Sequence, residues 1–349
     1  RSHFEAGGLN AAAAYYRMIL KDTLPPKNGV ERVAHGEACL WYARQALAEG
    51  KSGSATDWYQ QAITADPLAV DYRLEYVTKA LIPMNLLKNA RIEAERATKF
   101  EPNNASAWKV LAGCEQALGN VEAAIAASDR EVELTPNDPY ARLDRCVIAI
   151  DIGDYETVEA MCEPVLQDKK LRGEATNYLA MVAYRRGQHE KAICLYEDAV
   201  AFGIADPNLA TWNKSLAQHS IGDYRNGWRN HEARGLQKTD KAMALIIRRF
   251  TVPMWNGEPA PARLHVHQEM GHGDVIAMAR YIPLLIERGY DVRVEVMDSM
   301  VGLLQRSFPT ARVMPKAIDY PGAIGIPPFD YHIPMLSLPA LFGTDIDTV

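Results

Sequence analysis

The run Glu269-Met270-Gly271-His272-Gly273-Asp274 gathers the residue types of this chain that could do chemistry. It follows an alternating apolar run, Arg263 to His267, and precedes an apolar-periodic run over residues 275–286. Strand, glycine-rich turn and helix, in that order, put backbone N–H groups and a carboxylate at the mouth of a parallel sheet, where open α/β sheets bind ligands. Asp274 stands where a side chain can cap the helix that begins at Val275. Gly271 and Gly273 would let the backbone approach a substrate. Ile276 and Ala277 stand where a dinucleotide fingerprint would carry its third glycine, so an NAD site is rejected.

His265, His267 and His272, with Glu269 and Asp274, raise a metal reading. His265 and His267 would share one strand face, with His272 in the loop beyond. Ordinary strand and loop histidines account for the pattern, and no metal site is assigned. Arg280 lies six residues past Asp274, nearly two helical turns on. It would face the cleft and contact phosphate or acceptor, or else form a structural ion pair. Trp255 is read as pinning the chain onto the following domain.

The elements that must hold these residues alternate. Strands are expected over residues 264–268, 291–296, 311–314 and 329–333. One helix is expected over residues 275–288, ended by Gly289, and another over residues 299–308 with Ser299 as its N-cap. This is the βαβαβ start of a doubly wound sheet, about 88 residues long, and the chain is expected to end before that fold does.

The preceding residues carry a different signal. Gly119, Gly153 and Gly187 are 34 residues apart and Gly222 follows after 35, each opening a turn. Glycine suits the left-handed cap between two helices. Pro67, Pro102 and Pro136 keep a related beat, 35 and 34 apart. At +5, +9 and +12 from a glycine stand Ala55, Tyr59 and Ala62, and again Ala192, Tyr196 and Ala199, small or aromatic residues that let antiparallel helices close up. After Gly119, Ala124 fits and Ser128 and Glu131 do not. A third unit looks degenerate because Pro83 breaks it, and residues 23–31 form a longer connection. The domain limits read are residues 1–240 for the repeats, 241–261 for a linker rich in Pro and Gly, and 262–349 for the α/β part.

The chain of 349 residues has a formal charge of −6 and no basic stripe, which argues against nucleic acid. No apolar run is long enough for a membrane span. The five cysteines form no C-x-x-C pair and lie in apolar helical runs; they read as reduced core thiols of a cytoplasmic protein.

Trp108, Leu111, Gly119, Ala124 and Pro136 resemble a tetratricopeptide repeat, and six to seven such units are counted, with Gly8, Ala13 and Pro25 in the second helix of an opening one. The resemblance implies a solenoid whose concave face holds a peptide or a partner protein. No regular asparagine ladder lines it: Asn177 and Asn213 are candidates, but Lys109 and Asp144 take the comparable places. Further residues resemble a second family: Gly222-Asp223-Tyr224 with Gly227, Trp228, Glu232 and Arg234; Pro253, Trp255 and Gly257; Glu269, Gly271, Gly273 and Asp274; Arg280, Tyr281 and Pro283; Phe329, Asp330 and His332; Leu336 to Pro339. In that order they are similar to bacterial tetratricopeptide-repeat proteins with a C-terminal GT-B glycosyltransferase domain of the heptosyltransferase kind. That resemblance implies a Rossmann-like N-terminal lobe, sugar transfer from a nucleotide-sugar to an acceptor held by the repeats, and Asp274 as general base. Glu269, Gly271, His272, Gly273 and Arg280 would line the substrate site, with no cofactor beyond the nucleotide-sugar substrate. Met270, His272 and Val275 depart from the family pattern, and the donor lobe is not in this sequence. The alternative is a non-catalytic protein-binding scaffold with a remnant lobe.

Overall fold

The structure is a computed structural model that describes residues 9–22, 28–236, 250–258, 260–316 and 328–348. Its contacts divide the chain into two compact units, residues 1–161 and 162–349. In the first unit α1 (Leu9–Asp22) precedes the antiparallel helices α2 (Gly29–Ala48) and α3 (Ser52–Ala65). There follow α4 (Val70–Tyr76), α5 (Leu87–Phe100), α6 (Ala105–Ala117), α7 (Val121–Leu134) and α8 (Pro139–Ile152). The boundary falls inside α9 (Tyr155–Val165), and the second unit continues with α10 (Arg172–Arg185), α11 (His189–Ala201), α12 (Pro207–Ser220) and α13 (Tyr224–His231).

The glycine beat is a backbone requirement. Gly50, Gly119, Gly153, Gly187 and Gly222 all have φ between 72° and 81°, where a β-carbon is strained. The unit read as degenerate keeps the beat with another residue: Asn85, at φ 58°, stands 35 residues after Gly50 and 34 before Gly119. Asparagine tolerates this conformation better than other non-glycine residues. From Asn85, the +5, +9 and +12 positions are Ala90, Ala94 and Ala97, all fully buried. What differs in this unit is the end of its first helix. There the hydrogen bonds of Val77–Leu81 shift to the wider π register, with Ile82 N on Val77 O at 3.0 Å, just before Pro83, which has no N–H to give. The residues that break the alanine pattern still occupy its places, since Ser128 and Glu131 are buried. Burial pushes the Glu131 carboxyl up to about 7, with Asp144 adding to it.

The second unit ends in a four-stranded sheet, all parallel, in the order β3-β2-β1-β4. Its strands are β1 (Arg263–His267), β2 (Asp291–Val296), β3 (Arg312–Pro315) and β4 (Tyr331–Pro334). Between β1 and β2 the single expected helix is two, α14 (His272–Met278) and α15 (Tyr281–Glu287). Pro283 cannot donate to the carbonyl of Ala279, and the chain turns there instead, with Ile282 N on Ala279 O at 3.0 Å. α16 (Asp298–Ser307) starts one residue before Ser299, so Ser299 is not its N-cap. A short α17 (Leu338–Leu341) follows β4.

The two faces of this sheet differ. Leu264, Val266, Val292, Val294, Val296 and Ile333 form one face, buried under Val275, Met278, Ile282, Leu285, Met300 and Leu304 of α14, α15 and α16. Two crossovers that run in the same direction, β1 to β2 to β3, put their helices on one side when they share the right hand usual for parallel strands. The opposite face carries His265, His267, Arg293, Glu295 and His332, also buried, and Phe250 and Phe329 lie against its histidines. A doubly wound sheet presents apolar runs on both faces. The described residues therefore show a small parallel sheet and not that pattern. The β3–β4 connection falls largely on residues 317–327, outside the described residues.

Of the stretch read as a linker, residues 241–249 lie outside the described residues, and residues 253–255 are paired with β4: Trp255 N donates to His332 O at 2.8 Å and His332 N to Pro253 O at 3.2 Å. Trp255 is 1% exposed and its Nε1 reaches Tyr290 Oη at 3.2 Å. Four cysteines are buried; Cys194, expected in the core, is exposed, because it lies on the outer side of α11. No helix among the described residues is long and apolar enough to cross a membrane. Gly8 and Pro25 lie outside the described residues.

The turn geometry sets the first prediction. Gly119→Ala should cost about 1–2 kcal/mol, read as a lower urea midpoint, whereas Asn85→Gly should leave the midpoint unchanged or raise it. Equal midpoints for Gly119→Ala and the parent would contradict the left-handed requirement.

Candidate functional site

The C-terminal ends of β1 and β2 are tied by Gln268. Its backbone N donates to Glu295 O at 2.8 Å, its Nε2 donates to Met270 O at 2.6 Å, and its Oε1 accepts from Met297 N at 2.7 Å. Glu269 then points inward. Its side chain is fully buried and faces Arg234, 2% exposed, through Nε–Oε1 at 3.1 Å and Nη2 at 2.9 Å from both oxygens. Leu336 N donates to Glu269 Oε2 at 3.2 Å. Arg234 also reaches Glu232 Oε1 at 2.8 Å and Ser337 Oγ at 2.9 Å, and Ser337 Oγ donates to Glu232 Oε2 at 2.9 Å. Burial pushes the Glu269 carboxyl up, and the Arg234 guanidinium opposes that shift. Three segments remote in sequence meet at this network: the end of the helical array, the end of β1 and the stretch after β4.

Arg234 stands at +12 from Gly222, the position that Ala62, Ala97 and Ala199 fill in earlier repeats. At +5 stands Gly227, where an added Cβ would come within 2.3 Å of His219 Cδ2, and at +9 stands the buried His231. The last repeat has thus exchanged its small residues for a packed polar set. The sequence carried the signal in a cation at an alanine position and a glutamate just beyond a buried strand.

The expected site residues separate into an outer and an inner group. Gly271, His272, Gly273 and Asp274 are exposed. Asp274 does not cap from the first position: it lies at the third residue of α14, and its Oδ2 accepts from Gly271 N at 3.1 Å, half of a capping box. A Cβ on Gly273 would meet nothing within 4 Å, and one on Gly271 would meet only Asp274 Oδ2 at 3.8 Å; neither glycine has a positive φ. Their own fold does not require them to be glycine. His272 Nε2 pairs with Ser299 Oγ at 2.8 Å. Glu269 is expected in the substrate site but is turned away from solvent by its ion pair. Arg280 is exposed; its Nη2 donates to Thr348 O and its guanidinium lies over the Tyr281 ring, 5.3 Å from the centroid, so it faces neither Asp274 nor an acidic partner. α14 has only seven residues, which makes its dipole weaker than that of the longer helix expected.

The histidines are structural in their surroundings. His265 Nε2 and Glu295 Oε2 are 3.0 Å apart, and His267 Nε2 and His332 Nδ1 are 3.3 Å apart. His272 is held by Ser299, away from them. Among the described residues no group of three or more His, Cys, Asp or Glu could hold a metal ion. At the other end of β1 Asp330 accepts from Arg263 N, Nε and Nη2 at 2.8, 3.1 and 2.6 Å. Those bonds lower its carboxyl to about 2.

Residues 87–139 match the Tetratricopeptide repeat family. A tetratricopeptide repeat protein from Parabacteroides merdae ATCC 43184 is similar at a TM-score of 0.52 and 16% identity, over 60% of this chain and 83% of that one. PilW, a type IV pilus biogenesis factor, is similar at a TM-score of 0.50 and 13% identity, over 63% of this chain and 99% of that one. Superkiller protein 3 of Saccharomyces cerevisiae is 21% identical over 113 residues, 30% of this chain; the chain spans about 8% of the length of that relative. At these identities the likeness is one of fold. The repeat family is matched over residues 87–139, and the helical array shares the fold of tetratricopeptide-repeat structures.

The buried histidines set a pH prediction. Burial first, then the charge of Arg234, lowers His231 to about 3, and burial lowers His332 to about 4, both from 6.5. A histidine depressed on folding gives stability that is complete above pH 6.5 and is lost as pH falls toward the folded value. Within that window each should contribute a slope of about 1.4 kcal/mol per pH unit. His231→Gln should flatten the fall in denaturant midpoint between pH 6.5 and 4 relative to the parent; parallel curves would contradict a neutral, buried His231.

Proposed function

We propose that this chain is a protein-binding scaffold whose repeats take a peptide or partner protein on the faces of their first helices. The observation that carries this reading is a pair of polar rungs joining the first helices of successive repeats. Lys109 Nζ meets Asp144 Oδ2 at 2.5 Å, and Gln116 Nε2 meets Asp151 Oδ2 at 2.7 Å, each across 35 residues and exposed to solvent. Exposed rungs of this kind add little to stability, about 0–1 kcal/mol each. Their donors and acceptors are therefore available to a ligand at small cost. The match to the repeat family over the adjoining residues supports the same reading.

One observation favours a second reading, sugar transfer from a nucleotide-sugar with Asp274 as base. The strand order 3-2-1-4 is the order of the first four strands of the doubly wound dinucleotide sheets. It reverses between β1 and β4, where such sheets bind ligands. The exposed Gly271, Gly273 and Asp274 follow β1 at that place, with open space over Gly273. In this reading Asp274 exchanges its bond to Gly271 N for the acceptor hydroxyl.

The test is selection from a displayed library of random peptides on the whole chain, repeated with Lys109→Glu/Asp144→Lys. This exchange keeps the ion pair and reverses the pattern presented to a ligand. The scaffold reading expects enriched peptides whose binding falls at least tenfold in the exchanged variant, with its unfolding midpoint unchanged. Enriched peptides that bind both forms equally, or no enrichment, would overturn it. If the second reading holds, Asp274→Ala abolishes transfer and leaves peptide binding intact.

A further inference from the structure

A cavity of about 370 Å³ opens in the second unit between α13 and the turn after α17, away from the glycine-rich loop. Arg225 and Arg229, one turn apart on α13, form one wall; Pro339, Ala340, Gly343 and Thr344 form the other. The second wall brings no charged side chain. Gly343 N and Thr344 N are spent on Ala340 O and Pro339 O at 3.2 and 2.9 Å, and the Thr344 hydroxyl lies 2.6 Å from that of Tyr281. The first wall is cationic. Arg225 Nη2 meets Asp345 Oδ2 at 2.9 Å, and that contact holds the Asp345 carboxyl below its usual range. Arg229 is exposed and has no carboxylate partner among the described residues. Two more arginines reach the same terminal segment, Arg280 through Thr348 O and Arg288 over the Phe342 ring at 4.1 Å. On a chain of net charge −6 four guanidinium groups gather around this terminal segment, and two of them, Arg225 and Arg229, line the cavity.

We propose that this cavity binds a phosphate-type oxyanion, either free or as the monoester of a small molecule, between Arg225 and Arg229. The planar guanidinium fork matches phosphate oxygens two at a time, and charge-assisted bonds of this kind are about twice as strong as neutral ones. The volume is at the low end for small-molecule sites, about 300–1,000 Å³, and so suits a small anion with a short substituent. Asp345 is the built-in competitor: it neutralises Arg225 when the site is empty, and an oxyanion of higher charge displaces it. This site depends on neither the peptide reading nor the transferase reading, since it shares no residue with the rungs or with the loop.

The test is isothermal calorimetry of the whole chain with inorganic phosphate and, separately, glycerol 3-phosphate. Saturable binding of at least one is expected; tighter binding of the ester identifies a monoester as the ligand, and equal binding identifies free phosphate. Arg229→Gln should weaken binding roughly tenfold or more with an unfolding midpoint equal to the parent's, since the side chain is exposed. Asp345→Asn, which leaves Arg225 without its carboxylate, should tighten binding. No saturable heat with either compound, unchanged affinity in Arg229→Gln, or weaker binding in Asp345→Asn would overturn the proposal.

Discussion

The second unit is organised by one buried ion pair, Arg234 with Glu269. Removing two charges from water costs several kcal/mol for each, and only close, multiple hydrogen bonding offsets that cost. Here the guanidinium reaches both carboxylate oxygens, and Glu232, Ser337 and the N–H of Leu336 take up remaining donors and acceptors. Such a network is satisfied in one arrangement and unsatisfied in nearly all others. It therefore fixes how the last repeat meets the ends of β1 and β4, independently of how much apolar area that contact buries. The loop from Met270 to Asp274 begins one residue beyond this anchor. Whatever the loop binds, the residue just before it is held by the last repeat.

This arrangement bears on both functional readings. A scaffold uses the pair as a joint between the last repeat and the parallel sheet of the second unit. A transferase uses the same joint to present Asp274 at the reversal of strand order. Glu269 was expected to face substrate and instead serves the joint, which leaves Asp274, with Gly271, His272 and Gly273, as the exposed chemistry of the loop.

The repeats were legible because their geometry demands particular residues. A left-handed turn calls for glycine, and close helix pairs call for alanine at fixed offsets. Asn85 meets the same backbone demand without being glycine, so a glycine beat does not reveal it. Four strands were legible from alternation and lay within one or two residues of their expected places. The helix after β1 was read as one because its apolar period runs on through Pro283; the missing N–H breaks it where the period does not. Cys194 shows the same limit in another form, since an apolar run does not say which side of its helix a residue occupies. The polar sheet face was half visible: His265 and His267 alternate with Leu264 and Val266, yet a doubly wound sheet was still expected. Pairing across 35 residues, as between Arg234 and Glu269, leaves no local trace in a single sequence.

The most direct measurement of the joint is a double-mutant cycle on Arg234→Met and Glu269→Leu, followed by chemical denaturation of the whole chain at neutral pH. Each single variant leaves a buried charge without its partner and should lose about 3–5 kcal/mol, while the double variant, with neither charge, should recover most of that loss. Losses that simply add in the double variant would contradict the pair as the constraint on which the second unit depends.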